Sequence, residues 1–370
     1  MRDLIEQKVR MRNLSINDPV TQQAFLDKLV ELMNSGELIL GKYVDYFENK
    51  VKKIVGSDYA ISCSSASSGL YLALRSLDLK PEDEVITTPL TWLVTGSAIL
   101  QVGARPVFVD VDENYNLDPV EVEKAISKRT KAILVVHYYG RLAQIEKLSE
   151  LANFHKIYLI EDAAQAFGVH RANRFAGTYG DLGIYSFSPM KVIGGMGDAG
   201  VVVTRHEELA KKISTLRHCG TINREICISP ESKHIMDELH AAFLSVVIEN
   251  YVDVIQRRRA LAQYYRKVLP KQLILPDLGD KFEHCAYDFP VQLKDRDRLY
   301  EFLNLNGIEA RIRHPLLVSD QIVHVKSKKL SMPKASTLIA NTLCLPIHNN
   351  LTIEEVDFVG ELCRKFFKCH

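Results

Sequence analysis

Apolar and polar residues alternate along this chain with two different periods. Between Asp18 and Val55 the apolar positions recur at the spacing of an α-helix, in the stretches AFLDKLVELM and YVDYFENKVKKIV. The intervening stretch NSGELILGK contains two glycines and interrupts the pattern. The sequence therefore predicts two helices here, within an N-terminal helical segment at about residues 1–56.

From Tyr59 onward, short apolar runs alternate with helical patterns, which predicts a series of strands separated by helices. The predicted strands of this series are YAISCS, DEVITTP, RPVFVDV, KAILVVHYYG and KIYLIEDAA. The cores AILVV and IYLIE are apolar at nearly every position, which is typical of strands that are buried on both faces. This order of elements predicts an α/β fold with a largely parallel sheet.

The C-terminal third of the chain has a looser pattern. After the predicted strands DLGIYSF and AGVVVT, a long helical region runs from about His234 to Leu269. The remainder mixes strand and helix patterns and ends in the helical stretch TIEEVDFVGELCRKFF. We therefore predict a large domain over residues 1–250 and a smaller α+β domain over residues 251–370.

Composition and charge limit the classes of function. The chain has 370 residues, of which 46% are hydrophobic and 25% charged, as in a folded globular protein. Its 47 basic and 46 acidic residues are intermixed, so no broad field attracts nucleic acid or an anionic membrane. The N-terminus lacks the apolar core of a secretory signal, and no stretch approaches the roughly 18 apolar residues of a membrane span. We expect small molecules or further subunits as partners.

Cysteine usage bears on the compartment. The seven cysteines are scattered along the chain, and no two of them form a Cys-x-x-Cys pair. An odd number of unpaired thiols is typical of a reducing environment. We therefore expect a cytoplasmic protein without a metal site.

Ligands of parallel sheets bind beyond the carboxyl ends of the strands, so the residues after each apolar run are candidates for a site. In SCSSASSGLYLAL, Ser67 and Ser68 begin a helix whose N–H groups and positive dipole end suit a phosphate. Helix capping by serine is the alternative explanation. In TTPLTWLV, the single tryptophan of the chain, Trp92, is placed to stack on a flat cofactor, and core packing is its alternative.

Two further strand ends carry charged groups. In KIYLIEDAAQAFG, Glu161 and Asp162 follow a buried strand, where a carboxylate requires a cationic or hydrogen-bonding partner unless it caps the next helix. In YSFSPMKVIGGMGDAG, Ser186 and Lys191 precede a glycine-rich loop. A lysine in a dry crevice pairs with an anion or reacts as a free amine, whereas a solvated lysine is the ordinary alternative.

The glycine-rich loop contains a literal G-x-G-x-x-G pattern at Gly195, Gly197 and Gly200. A dinucleotide-binding fingerprint requires a helix after the glycines. The stretch VVVT that follows Gly200 is β-branched and predicts a strand instead. The sequence therefore argues against a dinucleotide site at this loop.

Together, the four strand ends supply an anion cradle, a stacking surface, a carboxylate and an amine. Pyridoxal phosphate needs these four partners. Its phosphate suits a helix N-terminus, its ring an aromatic cover, its ring nitrogen a carboxylate, and its aldehyde a lysine. The sequence therefore predicts a site for pyridoxal phosphate.

These residues resemble the sugar aminotransferases of the DegT/StrS type, which belong to the fold-type I pyridoxal phosphate enzymes. The similarity runs from GELILGKYVDYFE to CLPIHNNLT, and EDAAQA followed by YSFSPMK is its strongest part. The resemblance implies a large domain with a mainly parallel seven-stranded sheet, a smaller C-terminal domain and a homodimer.

The resemblance also implies roles around the cofactor ring. Lys191 is then the catalytic lysine that bonds to the cofactor, and Asp162 is the partner of the ring nitrogen. Trp92 stacks on the ring, and Gln165 packs near the ring hydroxyl.

The implied phosphate contacts are Ser67, Ser68 and Ser186. Where the family usually has glycine and threonine, this chain has Ala66 and Ser67, which keeps a hydroxyl and loses a glycine. Relatives often have an asparagine that reaches the phosphate of the partner subunit, and this chain has Lys233 at that place. A lysine can still contact a phosphate as a point charge.

For the reaction, the resemblance implies L-glutamate as the amino donor and a nucleotide-linked keto-deoxysugar as the acceptor. The candidate substrate contacts are His137, Tyr138, Tyr139, Arg311, Arg313 and His314. Strand-end packing is the alternative for the first three, and solvent exposure is the alternative for the arginines.

Two other functions stay open at this point. A dehydratase of the same fold typically has histidine in place of the lysine, so Lys191 argues against that activity. A non-catalytic or regulatory member of the family is the second alternative, because a site can persist without turnover.

Overall fold

The structure is a computed structural model that describes residues 8–223 and 225–369. The first seven residues of the predicted N-terminal segment and the last residue of the predicted C-terminal domain lie outside the described residues. The helices are α1 (Pro19–Ser35), α2 (Lys42–Val55), α3 (Ala66–Ser76), α4 (Leu93–Gln101), α5 (Pro119–Ala125), α6 (Ile145–His155), α7 (Glu207–Arg217), α8 (Glu238–Val247), α9 (Tyr251–Val268), α10 (Arg296–Leu305), α11 (Pro333–Asn341) and α12 (Ile353–Cys369). The strands are β1 (Tyr59–Cys63), β2 (Glu84–Thr87), β3 (Arg105–Phe108), β4 (Thr130–Val136), β5 (Tyr158–Asp162), β6 (His170–Arg171), β7 (Arg174–Phe175), β8 (Leu182–Ser186), β9 (Gly200–Thr204), β10 (Thr221–Ile222), β11 (Ile226–Cys227), β12 (Phe289–Gln292), β13 (Lys328–Lys329) and β14 (Thr342–Leu345).

The two helices predicted near the N-terminus are confirmed as α1 and α2. Asp18 caps α1 by accepting a hydrogen bond from the Thr21 N–H at 3.0 Å, and Pro19 occupies the first turn. Gly36 ends the helix in the left-handed region at φ 68°, where glycine carries no steric cost. Helix α2 ends in the same way at Gly56.

One large sheet organises the molecule, with the strand order β1-β9-β8-β5-β4-β2-β3-β13. Strand β9 is antiparallel to both of its neighbours, and the other pairings are parallel. The predicted mainly parallel sheet is therefore confirmed. The structure adds an eighth strand, β13, at one edge. It has only two residues, too few to leave an apolar pattern in the sequence.

Apolar cores cover both faces of this sheet. In β4, Ile133 and Val135 pack into the core that includes α2 and α8, whereas Ala132 and Leu134 pack into the core that includes α3 and α7. Successive side chains of a strand point to opposite faces, so both sets are buried only if both faces are covered. This is the physical reason for the continuous apolar runs in the sequence.

A further apolar core lies in the C-terminal part of the chain. It joins β12 and β14 to α9, α10 and α12, and it includes Val9 from the N-terminal segment. Helix α9 contributes Ile255 to the main core and Leu261 to this one. The predicted domain boundary near residue 250 stays a prediction.

The helical region predicted from His234 to Leu269 differs from the structure at its start. It begins at Glu238, and a short 3-10 turn at Ile248–Asn250 separates α8 from α9. The backbone of His234 instead donates to Arg217 and accepts from Ser64. These long-range hydrogen bonds hold the segment extended, which the local pattern did not indicate.

Three properties hold for the described part of the chain, residues 8–223 and 225–369. No helix there is both long and apolar enough to cross a membrane. No group of three or more histidine, cysteine, aspartate or glutamate side chains among those residues is arranged to hold a metal ion. The cysteines whose side chains are described are free thiols.

Candidate active site

A cavity of about 600 Å³ opens at the carboxyl ends of the parallel strands. Segments that follow β1, β2, β5 and β8 line it together with a segment from the C-terminal part of the chain. The predicted site residues in its lining are Ser67, Trp92, Asp162, Gln165, Ser186, Lys191, Arg311, Arg313 and His314. The four strand ends thus meet because parallel strands end at one edge of the sheet.

Asp162 is the last residue of β5, and its carboxylate is buried at the base of the cavity. It accepts hydrogen bonds from the Thr95 hydroxyl at 3.0 Å and from the Ala164 N–H at 3.1 Å. Burial raises the pKa of Asp162 above its ordinary value, although the bonds from Ala164 and Thr95 act in the opposite direction. A cationic N–H group in the cavity would therefore stabilise this carboxylate.

Lys191 lies in the loop that follows β8 and lines the same cavity. Its backbone N–H donates to the Ser188 carbonyl at 2.9 Å, which closes a tight turn. Its Nζ atom lies 4.9 Å from the centroid of the Tyr287 ring. The amine is thus presented to the cavity against an aromatic face.

The glycines after Lys191 allow the loop to pack tightly against the residues that precede it. A Cβ at Gly194 would lie 2.4 Å from the Pro189 carbonyl oxygen, so only glycine fits there. The Gly195 N–H donates to the Phe187 carbonyl at 2.7 Å. The stretch after Gly200 is strand β9, as predicted.

The turn between β1 and α3 forms another wall of the cavity, lined by Ser65, Ala66 and Ser67. Ser65 caps α3 by accepting from the Ser68 N–H at 3.1 Å. A Cβ at Gly200 would lie 2.5 Å from the Ser65 carbonyl carbon, so glycine allows β9 to approach this turn. The first N–H groups of α3 are therefore held next to the cavity.

The Ser68 hydroxyl is placed differently from the prediction. It lies 2.9 Å from the Ser64 hydroxyl and 3.2 Å from that of Ser65, and Ser68 does not line the cavity. This hydroxyl is occupied within the serine cluster, so the structure does not bring it to a phosphate. Ser186 does line the cavity, and its hydroxyl accepts from the Ser188 N–H at 3.5 Å.

Trp92 forms the outer aromatic wall. It is 58% exposed at the start of α4, so core packing is not its role. Its ring centroid lies 6.0 Å from that of His314. Gln165 lies deeper in the lining, and its side-chain oxygen accepts from the Tyr139 N–H at 2.8 Å.

The predicted substrate contact of His137 is not supported by its position. The ring is fully buried, its Nε2 lies 2.9 Å from Glu161, and its Nδ1 accepts from the Ala143 N–H at 3.1 Å. Both ring nitrogens are thus occupied in the core. Glu161 also accepts from the N–H groups of Gly177 and Gly180, at 2.7 and 2.6 Å, so it shapes a loop rather than the cavity.

Tyr138 and Tyr139 are also absent from the cavity lining, in contrast to their predicted role. Both are buried, and their ring centroids lie 4.1 Å apart. The Tyr138 ring lies 5.9 Å from the His314 ring, so the pair packs behind that cavity residue. Burial raises the pKa of both tyrosines well above the ordinary value, which keeps their hydroxyls neutral.

Lys233 lies outside the cavity of its own chain. It is exposed and forms an isolated antiparallel bridge with His218. Its predicted contact with the phosphate of a partner subunit stays a prediction.

Sequence reasoning missed several residues of the cavity. Thr95 follows Trp92 by three residues on α4, and this helical spacing was a usable signal. Tyr287 and Asp198 also line the cavity. Tyr287 precedes β12 in the C-terminal part of the chain, and nothing in its local pattern indicated that it meets Lys191.

The groups of the cavity fit pyridoxal phosphate. A buried carboxylate on Asp162, an amine on Lys191 and the start of α3 surround one space with the aromatic wall of Trp92. These groups match the ring nitrogen, aldehyde, phosphate and ring face of that cofactor.

Comparisons with known proteins agree with this geometry. The model of the DegT/DnrJ/EryC1/StrS aminotransferase family matches residues 19–364. A pleiotropic regulatory protein of Geobacillus stearothermophilus is 32% identical over 367 residues, which cover 97% of this chain and 99% of that protein. The dTDP-3-amino-3,4,6-trideoxy-α-D-glucose transaminase of Micromonospora megalomicea is 35% identical over 350 residues, covering 92% of this chain and 94% of that enzyme.

A solved structure extends the similarity to the fold and the cofactor. NtdA from Bacillus subtilis, crystallised with the bound cofactor PMP, has a TM-score of 0.89 and 29% identity, covering 96% of this chain and 83% of that one. The predicted fold type I and the predicted pyridoxal phosphate cofactor are thereby confirmed. The chain belongs to the DegT/DnrJ/EryC1/StrS aminotransferase family.

Proposed function

We propose that the protein transfers an amino group from L-glutamate to a nucleotide-linked keto-deoxysugar and so makes an amino sugar. The observation that carries this proposal is that Lys191 and Asp162 line one cavity with the start of α3 and Trp92. The relative named as a dTDP-amino-sugar transaminase supports the class of acceptor.

Each residue has a definite task in this proposal. When bound, pyridoxal phosphate supplies an electron sink that makes the α-carbon of the amino donor acidic. Asp162, held by Thr95, keeps a proton at the ring nitrogen. Lys191 takes the proton from the α-carbon as general base and returns it as general acid. Both tasks need the buried cavity, where charges interact more strongly than in water.

The walls of the cavity bind and orient the reactants. Ser67 and the first N–H groups of α3 hold the phosphate of the cofactor, and Trp92 covers its ring. Arg311 and His314 face the same space from the C-terminal part of the chain and are placed to bind the sugar nucleotide. Tyr138 supports the His314 ring from behind.

We also propose a cytoplasmic homodimer in which Lys233 reaches the phosphate site of the partner subunit. Two apolar side chains on helix α1 support the dimer: Val20 is 76% and Met33 is 65% exposed, and a second copy of the chain would cover them. Light scattering during size-exclusion chromatography tests this, with a mass of one chain as the contradicting result. Loss of cofactor affinity on Lys233→Ala in the dimer supports the cross-subunit contact.

The activity itself is tested with the holoenzyme. On addition of L-glutamate alone, we expect the visible absorbance band of the cofactor to disappear as the amino group is transferred. A panel of nucleotide keto-sugars then identifies the acceptor, read out by the mass of the aminated product. An unchanged spectrum with every amino acid tested would argue against an aminotransferase.

A second candidate is a non-catalytic regulatory protein, which the similarity to the pleiotropic regulatory protein favours. In that case the holoprotein binds a sugar nucleotide without forming an aminated product. Calorimetry with the same nucleotide keto-sugars, next to the product assay, separates binding without turnover from catalysis.

A further inference from the structure

One buried carboxylate, Asp288, organises the positively charged wall of the cavity. It is fully buried directly before β12. One of its oxygens accepts a hydrogen bond from Arg12, and the other lies 3.3 Å from Nε of Arg313. Although burial by itself raises the pKa of Asp288, Arg313 and Arg12 bring that pKa below its ordinary value. The carboxylate is therefore charged and shared by two arginines.

Of these two arginines, Arg313 faces the cavity. It lines the cavity with Lys191, and its Nη2 donates to the Tyr287 hydroxyl at 2.6 Å. The negative charge of Asp288 is the main cause that raises the pKa of Arg313 above its ordinary value. The guanidinium is thus held by Asp288 and by the Tyr287 hydroxyl at the wall of the cavity.

The second arginine, Arg12, comes from the N-terminal segment and does not line this cavity. Besides Asp288, it donates to the Ile347 carbonyl at 2.7 Å and to the Tyr287 carbonyl at 2.8 Å. Its side chain is only 7% exposed. These bonds fix Arg12 to the backbone next to Asp288 and to that of Ile347.

Three basic side chains surround the ring of Tyr287. The Tyr287 ring has Lys191, Arg12 and Arg313 within 4.9, 5.2 and 5.4 Å of its centroid. Asp288 pairs with Arg12 and Arg313, whereas the carboxylate of Asp162 acts on Lys191 from within the cavity. Because two arginines share the single carboxylate of Asp288, an anion that enters beside Arg313 would stabilise its guanidinium further.

We propose that Arg313 binds an oxyanion of a substrate, and that Arg12 and Asp288 are positioning residues that hold Arg313 in place for it. The oxyanion is the carboxylate of the amino donor or a phosphate of the sugar nucleotide, which share this chemistry. The inference rests on the proposed function, since both substrates belong to it. Arg12 acts on the site through Asp288, although 276 residues of sequence separate the two.

Half-reaction kinetics of the holoenzyme test the proposal. We expect Arg313→Gln to raise the KM for one substrate by about tenfold or more, with a smaller change in kcat. Arg12→Gln raises the same KM, and Arg12→Lys, which keeps the charge, raises it less. If the KM for L-glutamate rises, Arg313 binds the carboxylate of the donor. If the KM for the sugar nucleotide rises, Arg313 binds a phosphate of the acceptor.

Arg10→Gln is the matched control, because Arg10 is an exposed arginine two positions away. It should leave both KM values unchanged. Arg12→Gln leaves Asp288 with one partner and is expected to weaken the fold, so the charge-balanced double variant Arg12→Gln/Asp288→Asn is made alongside it. If either folded variant has the KM values of the wild type, Arg12 has only a structural role and the proposal is overturned.

A binding measurement distinguishes failure of the proposed function from failure of the proposed oxyanion site. If the wild-type holoenzyme catalyses no transfer, calorimetry with L-glutamate and with uridine diphosphate replaces the kinetics. Weaker binding of one probe to both Arg313→Gln and Arg12→Gln supports the oxyanion site. Equal binding to all variants, or no binding of either probe to the wild type, overturns it.

Discussion

Asp162 and Lys191 are the residues on which the chemistry depends, and each occupies a defined environment. Asp162 is buried and accepts two hydrogen bonds, from Thr95 and Ala164. Lys191 is half-buried against the Tyr287 ring. Their side chains are therefore set for different tasks, one as a fixed charge and one as a movable amine.

Replacing Lys191 by alanine removes the amine that carries the proton. We expect Lys191→Ala to abolish turnover and to leave the fold intact, because the side chain faces a cavity and fills no core. Product formation measures the first effect, and circular dichroism with thermal unfolding measures the second. Lys131→Ala, at an exposed position of β4, is the control. Transamination by a well-folded Lys191→Ala protein would contradict the assignment.

Replacing Asp162 by asparagine separates charge from shape. We expect kcat to fall by about a hundredfold or more, because an amide does not keep a proton at the ring nitrogen. Burial raises the pKa of Asp162 in the folded chain, so above that pKa its charge lowers the stability of the cofactor-free protein relative to a neutral side chain of the same shape. Urea unfolding of the cofactor-free protein should therefore show no loss of stability. Near-native kcat in this variant would remove Asp162 from the mechanism.

At the scale of the elements, a side chain of one helix caps another. The carboxylate of Glu238 in α8 accepts from the N–H groups of Gly41, Tyr43 and Val44 at 2.6, 2.9 and 3.0 Å. These groups start α2, where the N–H groups have no partners within the helix. The bonds join α2 to α8 on one face of the sheet.

Removal of this cap should lower the stability of the fold without directly affecting the chemistry in the cavity. We expect Glu238→Ala to lower the free energy of unfolding by about 2 to 4 kcal/mol, because three N–H groups, two of them buried, lose a charged acceptor. Urea unfolding measures it, with Glu82→Ala at an exposed position as the control. A loss no larger than that of the control would mean that water or other groups replace the cap.

The elements also show how far local patterns reach. The apolar runs predicted β4 and β5, because burial on both faces leaves a continuous signal. The pattern failed at His234, where hydrogen bonds to distant segments decide the backbone. It also missed β13, which depends on β3 for its pairing.

At the scale of the whole molecule, buried histidines link stability to pH. Burial lowers the pKa of His284 to about 3, and those of His314 and His348 to about 4. His284 is 2% exposed, and its Nδ1 accepts from the Ala286 N–H at 2.8 Å. A proton on that nitrogen would remove the acceptor, so the folded chain favours neutral His284.

Because unfolding frees His284 to take up a proton near pH 6.5, stability is full above that pH and declines below it. We expect this residue to contribute a slope of up to about 1.4 kcal/mol per pH unit between about pH 6.5 and about pH 4. Urea unfolding across this range measures the slope. It should be shallower in His284→Asn, which keeps an acceptor, and unchanged in the exposed control His155→Asn. Equal slopes in all three proteins would show that His284 does not titrate on unfolding.

The sequence by itself determined the properties that depend on neighbours along the chain. Helical spacing, apolar runs and the chemistry of four strand ends predicted the fold class, the cofactor and the group around Lys191 and Asp162. The carboxyl ends of parallel strands must share an edge, so these residues were bound to meet. The tertiary structure alone decided the rest, because partners such as Arg12 and Asp288 lie hundreds of residues apart. It placed His137 in the core and Tyr287 against Lys191, since burial and long-range contact leave no trace in a local pattern.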